Sequence, residues 1–328
     1  MNITETLKQK ITHPCRVVFP EAQEPAILEA AYKAYREGIC HPVFVGDAPT
    51  ISNTLTELGI TDSFYSIIPA DDESVIEQFA DRYYETNQIF SVKRLKRLMK
   101  QPLYIGAIAL SLGEVDAMVC GLTYATAEVI LASTSIVGLK ENVSVPSSFF
   151  LMNIPNFEGP EGTLIILSDG GACENPDESE LADIAITTAD SARRLLSWEP
   201  RVAMLSYSTN GSSVSEMTEK VVNAKNIAKE KAPDLKIDGE MQLDAAIVPA
   251  VAKKKMGRES DVAGNANILI VPDLNAGNIL YKSIQRFAKA EAYGPLLQGF
   301  RKPVNDLSRG SSAEDIFGVI LISCVFAM

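Results

Sequence analysis

Short apolar runs alternate with amphipathic helical patterns along most of this chain, and that alternation constrains its fold more than any other feature. Apolar runs of about four to eight residues are typical of buried strands, and strands that alternate with helices form parallel sheets covered on both faces. The sequence therefore predicts an α/β fold with mainly parallel sheets. The runs, one given with its following helix, are RVVFPEAQEPAILEAAYKAY at 16–35, PVFVG at 42–46, DAMVCG at 116–121, TLIILSDGG at 163–171, RVAMLSYS at 201–208, DAAIVP at 244–249 and NILIVPD at 267–273.

The chain length indicates two domains. The chain has 328 residues, and domains commonly hold about 100 to 200 residues, so we expect two three-layer α/β/α lobes with an interdomain cleft. A helical pattern gives way to VSVPSSFFLMN near residues 138–146. The final helical pattern, at 313–328, is apolar on most faces and must dock on a lobe. We expect it to return to the first, so the predicted domains are 1–141 with 297–328, and 142–296.

Charge and composition exclude several function classes. The formal net charge is -12, which disfavours nonspecific binding to nucleic acid or to an anionic membrane. The N-terminal stretch lacks a signal-peptide core and no apolar run approaches the roughly 18 residues of a membrane span, so we expect a cytoplasmic protein. Five cysteines without a CxxC pair, and two histidines, favour neither disulfides nor a metal site.

Ligands of such sheets bind beyond the carboxyl ends of the strands, and one candidate segment there is LSRGSSAED at 307–315. Ser311 and Ser312 stand three residues before Glu314 and Asp315, which is the spacing of a capping box and predicts a helix start. Such a start favours an anion. Gly310 allows close approach of the backbone, and Arg309 adds a planar cation that suits phosphate oxygens. The alternative is a capped helix with a surface arginine.

The chain resembles a known family over nearly its whole length. The segments that carry the resemblance include VVFPEAQEP, PLYIGAIAL, VDAMVCG, SFFLMN, MLSYSTNGS, GEMQLDAAIVP, GNANILIVPDLNAGNILYK and PLLQGFRKPVNDLSRG. Together they resemble the phosphate acetyltransferase and phosphate butyryltransferase family. That family interconverts an acyl phosphate and coenzyme A with acyl-CoA and inorganic phosphate, in a ternary complex without a metal.

The resemblance assigns roles to residues 308–315, which begin with the SRG segment, Ser308 to Gly310. It implies that Ser308 and Arg309 meet the phosphate and carbonyl oxygens of the acyl phosphate. It also implies that Asp315 takes the proton from the coenzyme A thiol, which suits a thiol whose ordinary pKa is about 8.5. The alternative role of Asp315 is that of a capping carboxylate. The resemblance further implies acetyl phosphate and coenzyme A as substrates, no bound cofactor or metal, and a homodimer.

Four further residues match family positions. Thr126, in GLTYATAE, matches a threonine near the acyl phosphate, and its hydroxyl would donate to a phosphate oxygen. Asn278, Tyr281 and Lys282, in GNILYK, resemble positions that face the cleft, with Lys282 as a second cation. The alternative for each is a cap or a solvated helix face.

The chain lacks basic residues at two places where the family pattern has them. Leu131 occupies the position of a family arginine, and the loop at 85–92 lacks the basic RKGKG-like run of ordinary members. Arg94 and Arg97, in SVKRLKRLMKQ, are candidate substitutes that would bind coenzyme A phosphates, unless they form only a solvated basic face.

The leading hypothesis is a phosphate acyltransferase that acts on acetyl phosphate. Three alternatives stay open: a catalytically weak relative that binds acyl phosphate or acyl-CoA, a transferase for another thiol or a larger acyl group such as butyryl, and a decarboxylating or NAD-linked dehydrogenase of similar architecture. The retained SRG segment and the absence of aspartate clusters argue against the last.

Overall fold

The computed structural model describes residues 3–328. Its strands are β1 Cys15–Phe19, β2 Cys40–Gly46, β3 Ser66–Pro69, β4 Ala117–Cys120, β5 Ser147–Asn153, β6 Leu164–Ser168, β7 Arg201–Leu205, β8 Lys236–Met241, β9 Ile268–Ile270, β10 Glu291–Gln298 and β11 Val304–Asp306. Its helices are α1 Ile3–Lys8, α2 Pro25–Arg36, α3 Ala48–Glu57, α4 Glu73–Thr86, α5 Val92–Leu98, α6 Pro102–Ser111, α7 Thr126–Ile136, α8 Glu178–Leu196, α9 Glu216–Lys231, α10 Leu243–Ile247, α11 Pro249–Lys255, α12 Leu274–Phe287 and α13 Ala313–Ala327. The predicted α/β class is confirmed.

The chain divides into two compact units, 1–138 with 300–328 and 139–299. The first unit holds a five-stranded sheet of order β11-β4-β1-β2-β3, in which every neighbouring pair is parallel. Helix α13 packs against α2, β4 and β1 of this unit. Its apolar side chains, such as Phe317 and Leu321, are buried there, so the last helix completes the first unit.

The second unit holds a six-stranded sheet of order β10-β5-β6-β9-β7-β8. The pairs from β6 to β8 are parallel, whereas β5 pairs antiparallel with both β6 and β10. Helices α8 and α9 pack together and against the parallel strands. This sheet is therefore mixed, with its two antiparallel pairs at one edge.

One sequence prediction is wrong. DAAIVP at 244–249 reads as a strand, but most of it lies in α10, and the strand precedes it as β8. An apolar run this short fits either structure, and here Ala245 and Ala246 pack into the core as helical residues. The β8 strand, KIDGEM, was hidden because its buried Asp238 and Glu240 interrupt the apolar pattern.

Within residues 3–328, no helix is both long and apolar enough to cross a membrane.

Candidate active site

The SRG segment lies at the carboxyl end of the first unit's sheet. Strand β11 ends at Asp306, Leu307 is buried, and Ser308, Arg309 and Gly310 form an exposed turn. The Ser311 N–H closes this turn by donating to the Ser308 carbonyl at 2.9 Å. The segment therefore lies where parallel sheets bind their ligands.

A capping box starts α13 directly after this turn, as the spacing predicts. The Asp315 N–H donates to Ser312 Oγ at 3.2 Å, and Asp315 Oδ2 accepts from the Ser312 N–H at 2.9 Å and from Ser312 Oγ at 2.7 Å. All these bonds use Oδ2, and within residues 3–328 the other oxygen, Oδ1, accepts none. Asp315 is exposed, and one of its carboxylate oxygens caps the helix while the other is not used by the cap.

The guanidinium of Arg309 is not neutralised by the acidic residues that follow it. Glu314 pairs instead with Lys33 at 2.5 Å, and Asp315 is engaged by Ser312. In the part of the chain that the structure describes, no carboxylate forms an ion pair with Arg309. The exposed turn therefore presents an uncompensated cation beside the positive end of a helix, which favours an anionic ligand.

Thr126 contacts Asp306, the last residue of β11 and two residues before Ser308. Thr126 Oγ1 donates to Asp306 Oδ2 at 2.5 Å, across 180 residues of sequence. The carboxyl is buried, and burial raises its pKa to about 7, with Glu21 adding to the rise and the Thr126 hydrogen bond opposing it. Asp306 Oδ1 has no hydrogen-bond partner among the described residues. The sequence-predicted Thr126 therefore lies beside the end of β11, and its hydroxyl donates to a carboxyl group there.

A second buried carboxylate, Glu21, holds the loop that leads into α7. Its oxygens accept from the backbone N–H groups of Gly121, Leu122, Thr123 and Tyr124, at 2.6, 3.2, 2.5 and 3.1 Å. The Thr123 hydroxyl adds a fifth bond at 2.5 Å. Because Glu21 is only 1% exposed, these charge-assisted bonds fix the loop rigidly.

The candidate coenzyme A residues line a groove in the first unit. Arg94 and Arg97 lie on α5, which Ser91 caps, and both line a cavity of about 670 Å³ together with Lys93. The Arg94 guanidinium lies 4.8 Å from the centre of the Phe90 ring. Neither arginine has an ion pair within residues 3–328, so three cations face one open groove.

Lys96, on the same helix, differs from these cations because it pairs with Glu77. The basic helix therefore has one compensated face and one uncompensated face. The uncompensated face lines the groove, where Ser91, Gln101 and Tyr104 supply further polar groups.

The remaining predicted residues lie in the second unit. The Asn278 side chain donates to the Gly170 carbonyl at 3.4 Å, and α12 touches this loop so closely that a Cβ on Gly277 would lie 2.0 Å from the Asp169 carbonyl oxygen. Asp169 is buried and accepts from the N–H groups of residues 171–173. Asn278 therefore helps to hold the turn that follows β6.

Tyr281 and Lys282 have different surroundings. The Tyr281 ring stacks on Phe150 with centroids 4.0 Å apart, whereas Lys282 is exposed with its ammonium 5.2 Å from the Tyr281 ring centre. Tyr281 is thus held by packing and Lys282 keeps its charge in solvent.

Comparisons with known proteins agree with this geometry. The family model described as "Phosphate acetyl/butaryl transferase" matches residues 1–324. The chain belongs to this family. It is 44% identical over 314 residues to the phosphate acetyltransferase of Clostridium acetobutylicum, covering 95% of this chain and 94% of that one. It is 43% identical over 318 residues to that of Acetivibrio thermocellus, covering 95% and 93%.

A solved structure agrees in fold and sequence. The crystal structure of a phosphotransacetylase from Streptococcus pyogenes superposes with a TM-score of 0.91 at 37% identity, covering 99% of this chain and 98% of that one. Membership of the phosphate acetyl/butyryl transferase family makes the chain an acyltransferase and decides against the dehydrogenase alternative.

The two places where the sequence analysis expects departures from the family pattern are exposed. Leu131 lies on α7 with 62% of its surface exposed, which leaves an apolar side chain where the resemblance places a cation. Ile89, in the loop that lacks basic residues, is 69% exposed. Both positions face solvent, so nothing in the packing of the first unit requires an apolar side chain there.

Sequence reasoning missed three buried carboxylates: Glu21, Asp169 and Asp306. Each follows or ends a buried strand. An acidic residue at that place is a usable signal, because a buried carboxylate needs donors and the turns after parallel strands supply them. The segments that carry the family resemblance include Glu21 and Asp306 but not Asp169, and the resemblance gave none of the three a role.

Proposed function

We propose that this chain is a phosphate acetyltransferase that converts acetyl phosphate and coenzyme A reversibly into acetyl-CoA and inorganic phosphate. The observation that carries the proposal is the uncompensated Arg309 guanidinium in an exposed turn at the start of a capped helix. The relatives named phosphate acetyltransferase support acetyl as the acyl group.

In the proposed reaction, the coenzyme A thiolate attacks the carbonyl carbon of acetyl phosphate directly in a ternary complex. Negative charge grows on the carbonyl oxygen and then on the departing phosphate. Arg309 and the Ser308 hydroxyl donate to these oxygens, and Gly310 lets them approach the backbone. A cation in a preorganised position stabilises such charge more than water does.

Asp315 acts as the base that takes the thiol proton. A thiol with an ordinary pKa of about 8.5 is mostly protonated at neutral pH, so deprotonation is needed before attack. The two roles of Asp315 can be divided between its oxygens: Oδ2 accepts from Ser312, and Oδ1 receives the proton. The capping bonds then hold the base in one orientation.

The groove beside α5 is the proposed site for coenzyme A phosphates. Arg94 and Arg97 supply the cations that Leu131 and the loop at 85–92 do not. The aromatic ring of Phe90, 4.8 Å from Arg94, limits the orientations of that guanidinium. Thr126 is proposed to contact the acyl phosphate, while the substrate-binding roles of Asn278, Tyr281 and Lys282, the homodimeric state and the cytoplasmic location stay predictions.

The exposed Leu131 favours one second candidate, a catalytically weak relative that binds acyl phosphate or acyl-CoA. Loss of a charge-assisted phosphate contact typically costs about 1.5 to 3 kcal/mol, which would weaken coenzyme A binding. A butyryl-preferring transferase is the remaining alternative within the family.

The test is to mix the purified protein with acetyl phosphate and coenzyme A and to follow thioester absorbance. Turnover at an enzyme-like rate supports the proposal, and the same assay with butyryl phosphate measures acyl preference. A binding-only protein would show ligand-dependent thermal stabilisation without turnover.

Asp315→Asn isolates the role of the base, because asparagine keeps an oxygen that can accept from Ser312 but cannot take up the thiol proton. We expect turnover to fall by about 10² to 10⁴-fold while the circular dichroism melt changes little. Asp315→Ala, which removes the cap as well, is the comparison variant. Turnover of Asp315→Asn within a few-fold of the parent would remove Asp315 from the mechanism.

A further inference from the structure

Asp306 is a buried carboxyl group with one unused oxygen beside the proposed acyl-phosphate site. It is 3% exposed, and its Oδ1 has no hydrogen-bond partner within residues 3–328. A side chain on Gly121 would place its Cβ 1.9 Å from that oxygen, so the carboxyl lies directly against the loop that leads into α7. A buried polar atom without a partner costs stability, and its position beside Thr126 points to a functional reason.

Burial and the nearby Glu21 carboxylate disfavour a negative charge on Asp306, whereas the Thr126 hydroxyl and the Leu307 backbone N–H favour it. From the loop after β1, the facing group is the Glu21 carboxylate, and from β4 it is the Cys120 thiol, whose pKa is raised by burial and by both carboxylates. From α7 it is the Thr126 hydroxyl. On the side of α13, the contact with β11 is made by the preceding residue, Asn305, whose side chain donates a hydrogen bond to Ser323. Among the described residues, no cation pairs with Asp306.

We propose that Asp306 is a positioning residue that takes up a proton when a phosphate-bearing ligand binds next to Thr126. Once protonated, Asp306 donates from Oδ2 to Thr126 Oγ1. The Thr126 hydroxyl proton then turns away from Asp306 and donates to a ligand oxygen.

The proton balance is simple. In the free protein, Thr126 donates to the carboxylate at 2.5 Å, so its proton is not available to a ligand. An approaching phosphate adds a further negative charge, which favours the neutral carboxyl. The proton comes from solvent on binding and returns to solvent on release. No bond other than O–H forms or breaks, and the 2.5 Å contact persists with donor and acceptor exchanged.

This inference rests on the proposed function because it assumes that Thr126 faces the acyl phosphate. Sulfate is therefore used as the test ligand, since it mimics the phosphoryl group without changing its own protonation near neutral pH. Titration calorimetry at pH 7.5 in two buffers of different ionisation enthalpy measures the protons taken up. With a free pKa of about 7, the parent should take up as much as about 0.8 proton per site.

Asp306→Asn is the decisive variant, because its amide can donate permanently to Thr126 Oγ1. We expect it to bind sulfate with no proton uptake. In the thioester assay, the parent KM for acetyl phosphate should rise with pH above about 7, by a factor approaching ten per pH unit, and the Asp306→Asn KM should be independent of pH. Thr126→Ser should keep the parental pH dependence, and Thr126→Val should lose it.

The outcomes separate this inference from the proposed function. Equal proton uptake by the parent and Asp306→Asn, or a parental KM that does not change with pH, would overturn the role of Asp306 while thioester formation stands. Sulfate-linked proton uptake without thioester formation would support the role of Asp306 and refute the transferase. If sulfate does not bind at all, the anion site beside Thr126 is wrong.

Discussion

Replacing Asp306 by asparagine gives a stability change whose pH dependence follows from the burial of this carboxyl. Its pKa rises from 3.8, the ordinary aspartate value, to about 7 in the folded chain. A rise of about three pH units at about 1.4 kcal/mol each corresponds to about 4 kcal/mol. That free energy is the cost of ionising Asp306 in the folded rather than the unfolded state.

The direction follows from the raised pKa. Because the folded chain holds this proton more tightly than the unfolded chain, the stabilising contribution is fully present below pH 3.8 and is lost as the pH rises through about 7. Asparagine cannot ionise, so the free energy of unfolding of the variant does not fall in this way as the pH rises. Between pH 5 and pH 8, the free energy of unfolding of Asp306→Asn should therefore gain about 2 to 3 kcal/mol relative to the parent.

Urea unfolding followed by circular dichroism at pH 5 and pH 8, at equal ionic strength, measures both free energies. Asp116→Asn is the matched control in the same unit: despite partial burial, hydrogen bonds from Arg16 hold the pKa of Asp116 below its ordinary value. The stabilising contribution of the Asp116 carboxylate is fully present at any pH above the ordinary aspartate pKa. The difference in unfolding free energy between Asp116→Asn and the parent should therefore be equal at the two pH values. An Asp306→Asn difference that is also equal at pH 5 and pH 8 would refute the buried ionisation.

Two further predictions concern the groove and the loop before α7. Changing Arg94 and Arg97 together to glutamine should raise the KM for coenzyme A at least tenfold, with a smaller effect on kcat. The control Lys96→Gln loses a cation already paired with Glu77 and should leave this KM unchanged. Equal KM values for both variants would refute the groove as the coenzyme A site. Gly121→Ala should destabilise the chain by about 2 to 4 kcal/mol in urea, because φ is 102° there and the new Cβ would meet Asp306 at 1.9 Å. The control Gly318→Ala, on α13 with open space around it, should gain up to about 1 kcal/mol, and a Gly121→Ala variant as stable as the parent would contradict the close approach.

Local patterns carried most of the predictions that the fold confirms. Alternation of strand and helix patterns determined the α/β class, since residue periodicity depends only on neighbours in the chain. The serine and aspartate spacing at 312–315 determined the start of α13 for the same reason, because a capping box closes within one turn of helix. The prediction of a strand at DAAIVP was wrong because an apolar run of that length does not distinguish helix from strand.

Only the tertiary structure decided how the carboxylates of the site are used. The contact from Thr126 to Asp306 spans 180 residues, and that from Gly121 to Glu21 spans 100. Each acid lies at or just after the end of a strand, yet its donors come from the loop after β4 or from the start of α7, which lie beside it only in the folded sheet. Burial by that sheet is what raises the pKa of Asp306, and burial is a property of the packed chain rather than of any segment of it.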